Sequence, residues 1–174
     1  NNGRLGVTEW EVETAISGPI TVGERSLELQ VEKGEQNPFT TTVTISKASH
    51  GCRCVLIARA FDQQNANDAA VYFVGQALDV LSLRLRTPLY LNMFRPKFRS
   101  TANHVKRFVT REEWFDAFTD GRNISIHRRY LSRAISWYRK GQVSEAPIDR
   151  LIAFWSALEA IGSNHFRHTP RTER

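Results

Sequence analysis

Cysteine is nearly absent. Cys52 and Cys54 are the only two in 174 residues, and they stand one residue apart. That excludes a disulfide-built scaffold and fits a reducing compartment, so a cytoplasmic location is expected. Long apolar runs are also missing. The longest candidate, Ala69 to Leu85, is interrupted by Gln76, Asp79 and Arg84. It falls short of the ~20 residues that span a bilayer and reads as a buried helix, with no membrane partner. There is no glycine-rich phosphate loop, no Gly-x-Ser-x-Gly elbow, no internal repeat and no low-complexity segment. A signal peptide and an initiator Met are lacking too. The sequence opens at Asn1-Asn2-Gly3 and stops at Arg174 just after a helix, as expected of a piece of a longer parent.

What is present is enough for a core and unevenly charged. Hydrophobic residues make up 41%, which argues against global disorder. The formal charge is +6. Between Arg95 and Arg111 stand six cations (Arg95, Lys97, Arg99, Lys106, Arg107, Arg111) and no acid. Six more (Arg122, Arg128, Arg129, Arg133, Arg139, Lys140) lie in a second acid-free window. Half of the 24 basic residues are in these two stretches. The acids gather early, at Glu9, Glu11, Glu13, Glu24, Glu28, Glu32 and Glu35. An acidic sheet surface and a basic middle are expected.

The hydrophobic period changes along the chain. Gly6 to Ile16 alternates, with Trp10, Val12, Thr14 and Ile16 on one face and glutamates on the other, the mark of a half-buried strand. Ser26 to Lys33 repeats the pattern, β-branched Thr40 to Lys47 reads as a third strand and apolar Cys52 to Phe61 as a fourth. These four predict an antiparallel sheet with one solvated acidic face. A helix then starts near Asn65, with Asn67 and Asp68 as other caps, and ends at Thr87-Pro88. Leu89 to Phe94 reads as a short strand, and Val105 to Val109 as an extended piece in a basic loop.

Thr110 and Glu113 have capping-box spacing and open a short helix that carries Trp114, Phe115 and Phe118 and breaks at Asp120-Gly121. A second helix is expected from about Asn123 to Lys140, closed by Gly141. Its stripe is Ile124, His127, Leu131, Ala134, Ile135 and Tyr138, which turns the arginines outward. Pro147 opens a third helix, ended by Gly162. That helix is apolar on two faces: Ile148, Leu151, Ile152, Trp155 and Leu158 on one, Phe154, Ala157 and Ile161 on the other. Such a helix is expected at the centre of a bundle. The fold class expected is α+β: a strand-rich unit with one long helix over residues 1–109, then a helical unit over 110–174.

Two stretches carry a resemblance. Tyr130 to Gly141 (YLSRAISWYRKG) and Asp149 to Ile161 (DRLIAFWSALEAI) resemble the helical hairpin of Apea-like HEPN domains, most tellingly in "FWSALEAI". The strand-rich first part is similar in layout to the region before that domain. The resemblance implies a helical bundle, often dimeric, in a defence-type or regulatory protein that engages RNA. It also implies a metal-independent ribonuclease where the catalytic signature is present. That signature is an Arg and a His separated by four to six residues. The Arg steadies the phosphate and the His moves the proton as the RNA 2′-hydroxyl attacks. Arg122 and His127 have this spacing, and so do Arg99 and His104. The resemblance places the signature after "FWSALEAI", which would put it beyond Arg174.

The resulting expectations are these. Arg95, Lys97, Arg99, Lys106, Arg107, Arg128, Arg129, Arg133, Arg139 and Lys140 form a polyanion-binding surface, RNA first. Arg122 and His127 are the catalytic candidates. A non-catalytic scaffold, binding a protein partner or a second copy through the helices, is the alternative. No cofactor and no resident metal are expected. His50, Cys52 and Cys54 offer three ligands without a fourth, and His165-x-x-His168 lacks companions. Glu159 is either a buried acid paired with Arg133 or an exposed helix residue.

Overall fold

Period-two alternation builds the first layer. The computed structural model describes residues 7–31, 39–92 and 106–168, with side chains omitted for 39–41 and 166–168. Strands β1 (Thr8–Ser17), β3 (Ser26–Gln30), β4 (Phe39–Ala48) and β5 (Gly51–Ala60) form the expected antiparallel sheet. A short strand β6 (Tyr90–Asn92) extends it, giving the order β3-β4-β5-β1-β6. Two three-residue strands, β2 (Ile20–Val22) and β7 (Arg107–Val109), pair in parallel beside it. Runs that short carry no readable period, and β2 was not foreseen.

Val12, Thr14, Ile16, Leu27, Leu29, Val43, Ile45, Cys52, Cys54 and Leu56 face inward. The outer face is not the acidic surface that the early glutamates imply. Register sets Glu9 opposite Arg59, and Glu13 diagonal to Arg53, whose direct partner is Ala15; the two pairs close at 2.9 and 2.6 Å. Exposed pairs of this kind are worth ~0–1 kcal/mol, but they cancel the local charge.

Helix α1 (Gln63–Leu85) covers the inner face. Asp62 caps it, accepting from the Asn65 amide at 2.8 Å, so it starts before the Asn65 position expected. Arg86, with φ 50°, ends it in the left-handed conformation ahead of Pro88. Its stripe of Ala66, Ala70, Phe73, Val74, Ala77, Leu78 and Leu81 is buried.

Helix α2 (Arg111–His127) begins with the anticipated capping box: the Glu113 amide donates to Thr110 Oγ1 at 3.2 Å, and the Thr110 amide to Glu113 Oε2 at 3.0 Å. Trp114 and Phe118 sink into the same buried cluster as the sheet residues, with Phe118 5.1 Å from Phe73 between ring centroids. One core therefore runs from β1 into α2.

Two glycines read as helix stops are contact points instead. α2 does not break at Asp120-Gly121. A Cβ on Gly121 would lie 2.7 Å from the Gln76 carbonyl oxygen, so Gly121 is where α2 touches the α1 backbone. The interruption comes at Arg128 (φ −138°, ψ 61°), which separates α2 from α3 (Arg129–Val143). α3 likewise runs past Gly141, where a Cβ would meet the Phe154 ring of α4 (Pro147–His168) at 2.6 Å. Pro147 opens α4 as expected, but Gly162 does not stop it.

Nor is α4 central. It lays Ala153, Phe154 and Ala157 against α3, and its opposite apolar face is exposed.

Between α1 and α3, Asp79 and Arg139 meet at 2.5 Å with side chains 12% and 19% exposed. Burial pushes the Asp79 carboxyl up from its ordinary value, and the Arg139 charge pulls it back only in part.

Two predictions follow from this packing. Gly121→Ala is expected to destabilise the fold by ~1–3 kcal/mol through overpacking. Gly162→Ala, with nothing within 4 Å of the added methyl, is expected to be neutral or to stabilise by up to ~1 kcal/mol. Urea unfolding of both variants checks this, and equal effects would contradict it. Because the native chain holds the Asp79 proton more tightly than the unfolded one, this group's contribution is full below the unfolded carboxylate value. It declines as pH rises through the raised native value. Asp79→Asn should remove that decline from a stability–pH profile; an unchanged profile counts against the assignment.

Candidate nucleic-acid interface

α3 sorts its residues by angle. Ala134 and Ile135 are buried, and Tyr138 stacks on Phe154 of α4 at 5.7 Å between centroids. Gln142 accepts from Ser82 of α1 at 2.6 Å, and Arg139 turns to Asp79 on that same side. Ser136, one turn before Arg139, also hydrogen-bonds Asp79. At 100° per residue, what remains for solvent is Arg129, Arg133 and Lys140, and all three are exposed. Exposed Arg128 stands at the head of this row. From Arg129 to Lys140 the row is about 16 Å long, the rise of about five positions along one duplex strand. Among the described residues, no acid pairs with Arg128, Arg129, Arg133 or Lys140.

A further feature favours an anion here. α3 has no acid in its first turn to offset Arg128 and Arg129. At the other end, Lys140 Nζ sits 4.4 Å from the centroid of half-buried Trp137. Trp137 and Tyr130, two helical turns apart, flank the cations with aromatic surface on the side toward α4. Aromatic rings beside cations suit single strands, whose bases can stack.

The other expected contacts are dispersed. Arg139 belongs to the interior: besides Asp79, it donates to the Leu89 carbonyl at 3.3 Å. Arg107 pairs with Glu113 at 2.9 Å, and Lys106 donates to the Ser49 carbonyl at 2.6 Å. Arg111 donates to the Glu28 carbonyl. These three are held against the sheet and the start of α2 rather than joined to the α3 row. Arg95, Lys97, Arg99 and His104 lie outside the described residues. So the two acid-free windows do not form one surface among the described residues; the second window supplies it, without Arg139.

Arg122 and His127 are both on α2, five positions apart, so helical geometry points them about 140° away from each other. Arg122 is half-buried and His127 exposed. The spacing that fits the signature does not bring them together. Glu159 is exposed, and Arg133 has no ion pair among the described residues. The buried acid that holds an arginine is Asp79, a carboxylate placed inside an apolar stripe. That placement was the available signal.

Cys52 and Cys54 point into the core, and burial raises both thiols to about 12, so they are held protonated. His50 is exposed at the β4–β5 turn. No group of three His, Cys, Asp or Glu side chains converges among the described residues. A groove of about 370 Å³ between β3 and α2 is lined by Leu29, Gln30, Arg111, Glu112, Phe115 and Asp116. It is open and lacks a nucleophile beside a base. No described helix is long and apolar enough to cross a membrane.

Comparison with protein-family models, curated proteins and solved structures returned no match.

Proposed function

We propose that this chain binds RNA through the outer face of α3, as a HEPN-like domain that does not itself cleave. The observation that carries the reading is the exposed row of Arg129, Arg133 and Lys140, with Arg128 at its head and Lys140 over Trp137. Three cations along α3 and a fourth at its head, none with an acid paired to it among the described residues, suit a phosphate backbone and gain affinity by displacing its counterions. The flanking Trp137 and Tyr130 favour single-stranded RNA, whose bases are free to stack. The resemblance of Tyr130–Gly141 and Asp149–Ile161 to an Apea-like HEPN hairpin supports the RNA side of the reading. These segments form α3 and α4, joined by three residues and packed together. A larger defence-type or regulatory protein is the setting that the resemblance implies. Cleavage by Arg122 and His127 is not favoured, because their side chains diverge.

Single-stranded RNA binding measured against salt tests this. Four backbone contacts predict a log–log slope of about −3, and Arg129→Ala or Lys140→Ala should each reduce it by about 0.7. Trp137→Ala should weaken binding by a comparable amount through lost stacking. Affinity independent of salt, or indifferent to these substitutions, would overturn the reading.

A further inference from the structure

Tyr72 of α1 is an exposed aromatic ring held in place. It is 64% exposed. Its hydroxyl lies 2.9 Å from Ser125 Oγ of α2, and the Gln76 amide donates to that same oxygen at 2.7 Å. Its place along the molecule is set by the pairing of two helices. α3 runs antiparallel to α1 on successive rungs: Gln142 meets Ser82, Arg139 meets Asp79, and Ser132 and Ile135 border a small gap shared with Gln76. Each step toward the start of α3 is a step toward the start of α1, and the next α1 turn carries Tyr72. Tyr72 therefore stands level with Arg128 and Arg129, and its partner Ser125 is one turn before Arg128. Ser136, which hydrogen-bonds Asp79, is the α3 position next in angle to the cationic row, so the row runs along the seam with α1.

We infer that Tyr72 is a base-binding subsite, where an RNA strand lying on the α3 row stacks an unpaired base after it passes Arg128. This rests on the RNA reading of α3. The ring suits the task because it is already fixed, so little freedom is lost when a base lands on it. The ligand class is a single strand long enough to reach both ends of the path. The row accounts for about five positions, and Tyr72, one turn past its head, for about two more. A duplex keeps its bases stacked on one another and has none to offer Tyr72. Trp137 and Tyr72 then hold bases toward opposite ends of the strand. Asp68, exposed one turn further along α1, repels phosphate and closes the path there.

The test is the affinity of the intact chain for oligouridylates of about five and about ten nucleotides, the shorter filling the row alone. Tyr72→Ala should weaken the longer strand about tenfold, the effect of losing one stacked base, and the shorter one by about twofold or less. Tyr72→Phe keeps the ring and should keep most of the affinity for the longer strand. Lys140→Ala, on the row itself, should weaken both lengths. If Tyr72→Ala binds the longer strand as well as the unsubstituted chain does, while Lys140→Ala still weakens it, the subsite is overturned and the reading of α3 stands. Equal losses at both lengths, or Tyr72→Phe as damaging as Tyr72→Ala, would show an effect other than stacking and would also overturn it. Failure of the unsubstituted chain to bind either length would overturn both.

Discussion

The buried contact between Asp79 and Arg139 decides how α3 is rotated on the body of the protein. A carboxylate inside an apolar stripe must be matched by a cation, and α3 supplies it. Such a pair adds little net stability over an apolar one, yet breaking it is costly, because a lone charge remains buried. Its effect is orientational. With Arg139 and Gln142 committed to α1, the helical repeat leaves Arg129, Arg133 and Lys140 no direction but outward. The cationic row is thus a consequence of one internal contact rather than an independent feature.

α1 is the element on which both halves of the chain meet. One side closes the sheet; the other receives α2 through Phe73, Trp114 and Phe118, and α3 through Asp79 and Ser82. This is why a buried acid and a serine can stand in an otherwise apolar helix: each faces a partner from α3. The exposed apolar face of α4 is the opposite case, a surface whose partner is not supplied by the neighbouring elements.

Much of the architecture was legible because it depends on local period. Strands β1, β3 and β5, the capping box at Thr110 and the proline at the head of α4 all follow from spacing within a few residues. The errors came where a residue has two physical uses. Gly121 and Gly141 look like helix stops, since glycine ends helices readily. Here the lack of a Cβ allows close approach, to the α1 backbone in one case and the Phe154 ring in the other. Only tertiary contacts distinguish these roles. Charge was misread for the same reason. Acid-free windows in the sequence gave no sign that Glu113 would claim Arg107, or that Asp79, 60 residues away, would claim Arg139. The surviving site is smaller than the windows implied, and Trp137 joins it through a contact that composition did not reveal.

Two arginines on one helix, Arg139 and Arg133, have separate fates, one turned inward and one outward. Parallel measurement of unfolding free energy and RNA affinity for Arg139→Gln and Arg133→Gln addresses this most directly. Arg139→Gln should cost ~3 kcal/mol or more of stability. Arg133→Gln should leave stability within ~0.5 kcal/mol and weaken RNA binding several-fold. Equal effects of the two substitutions on both quantities would contradict the account.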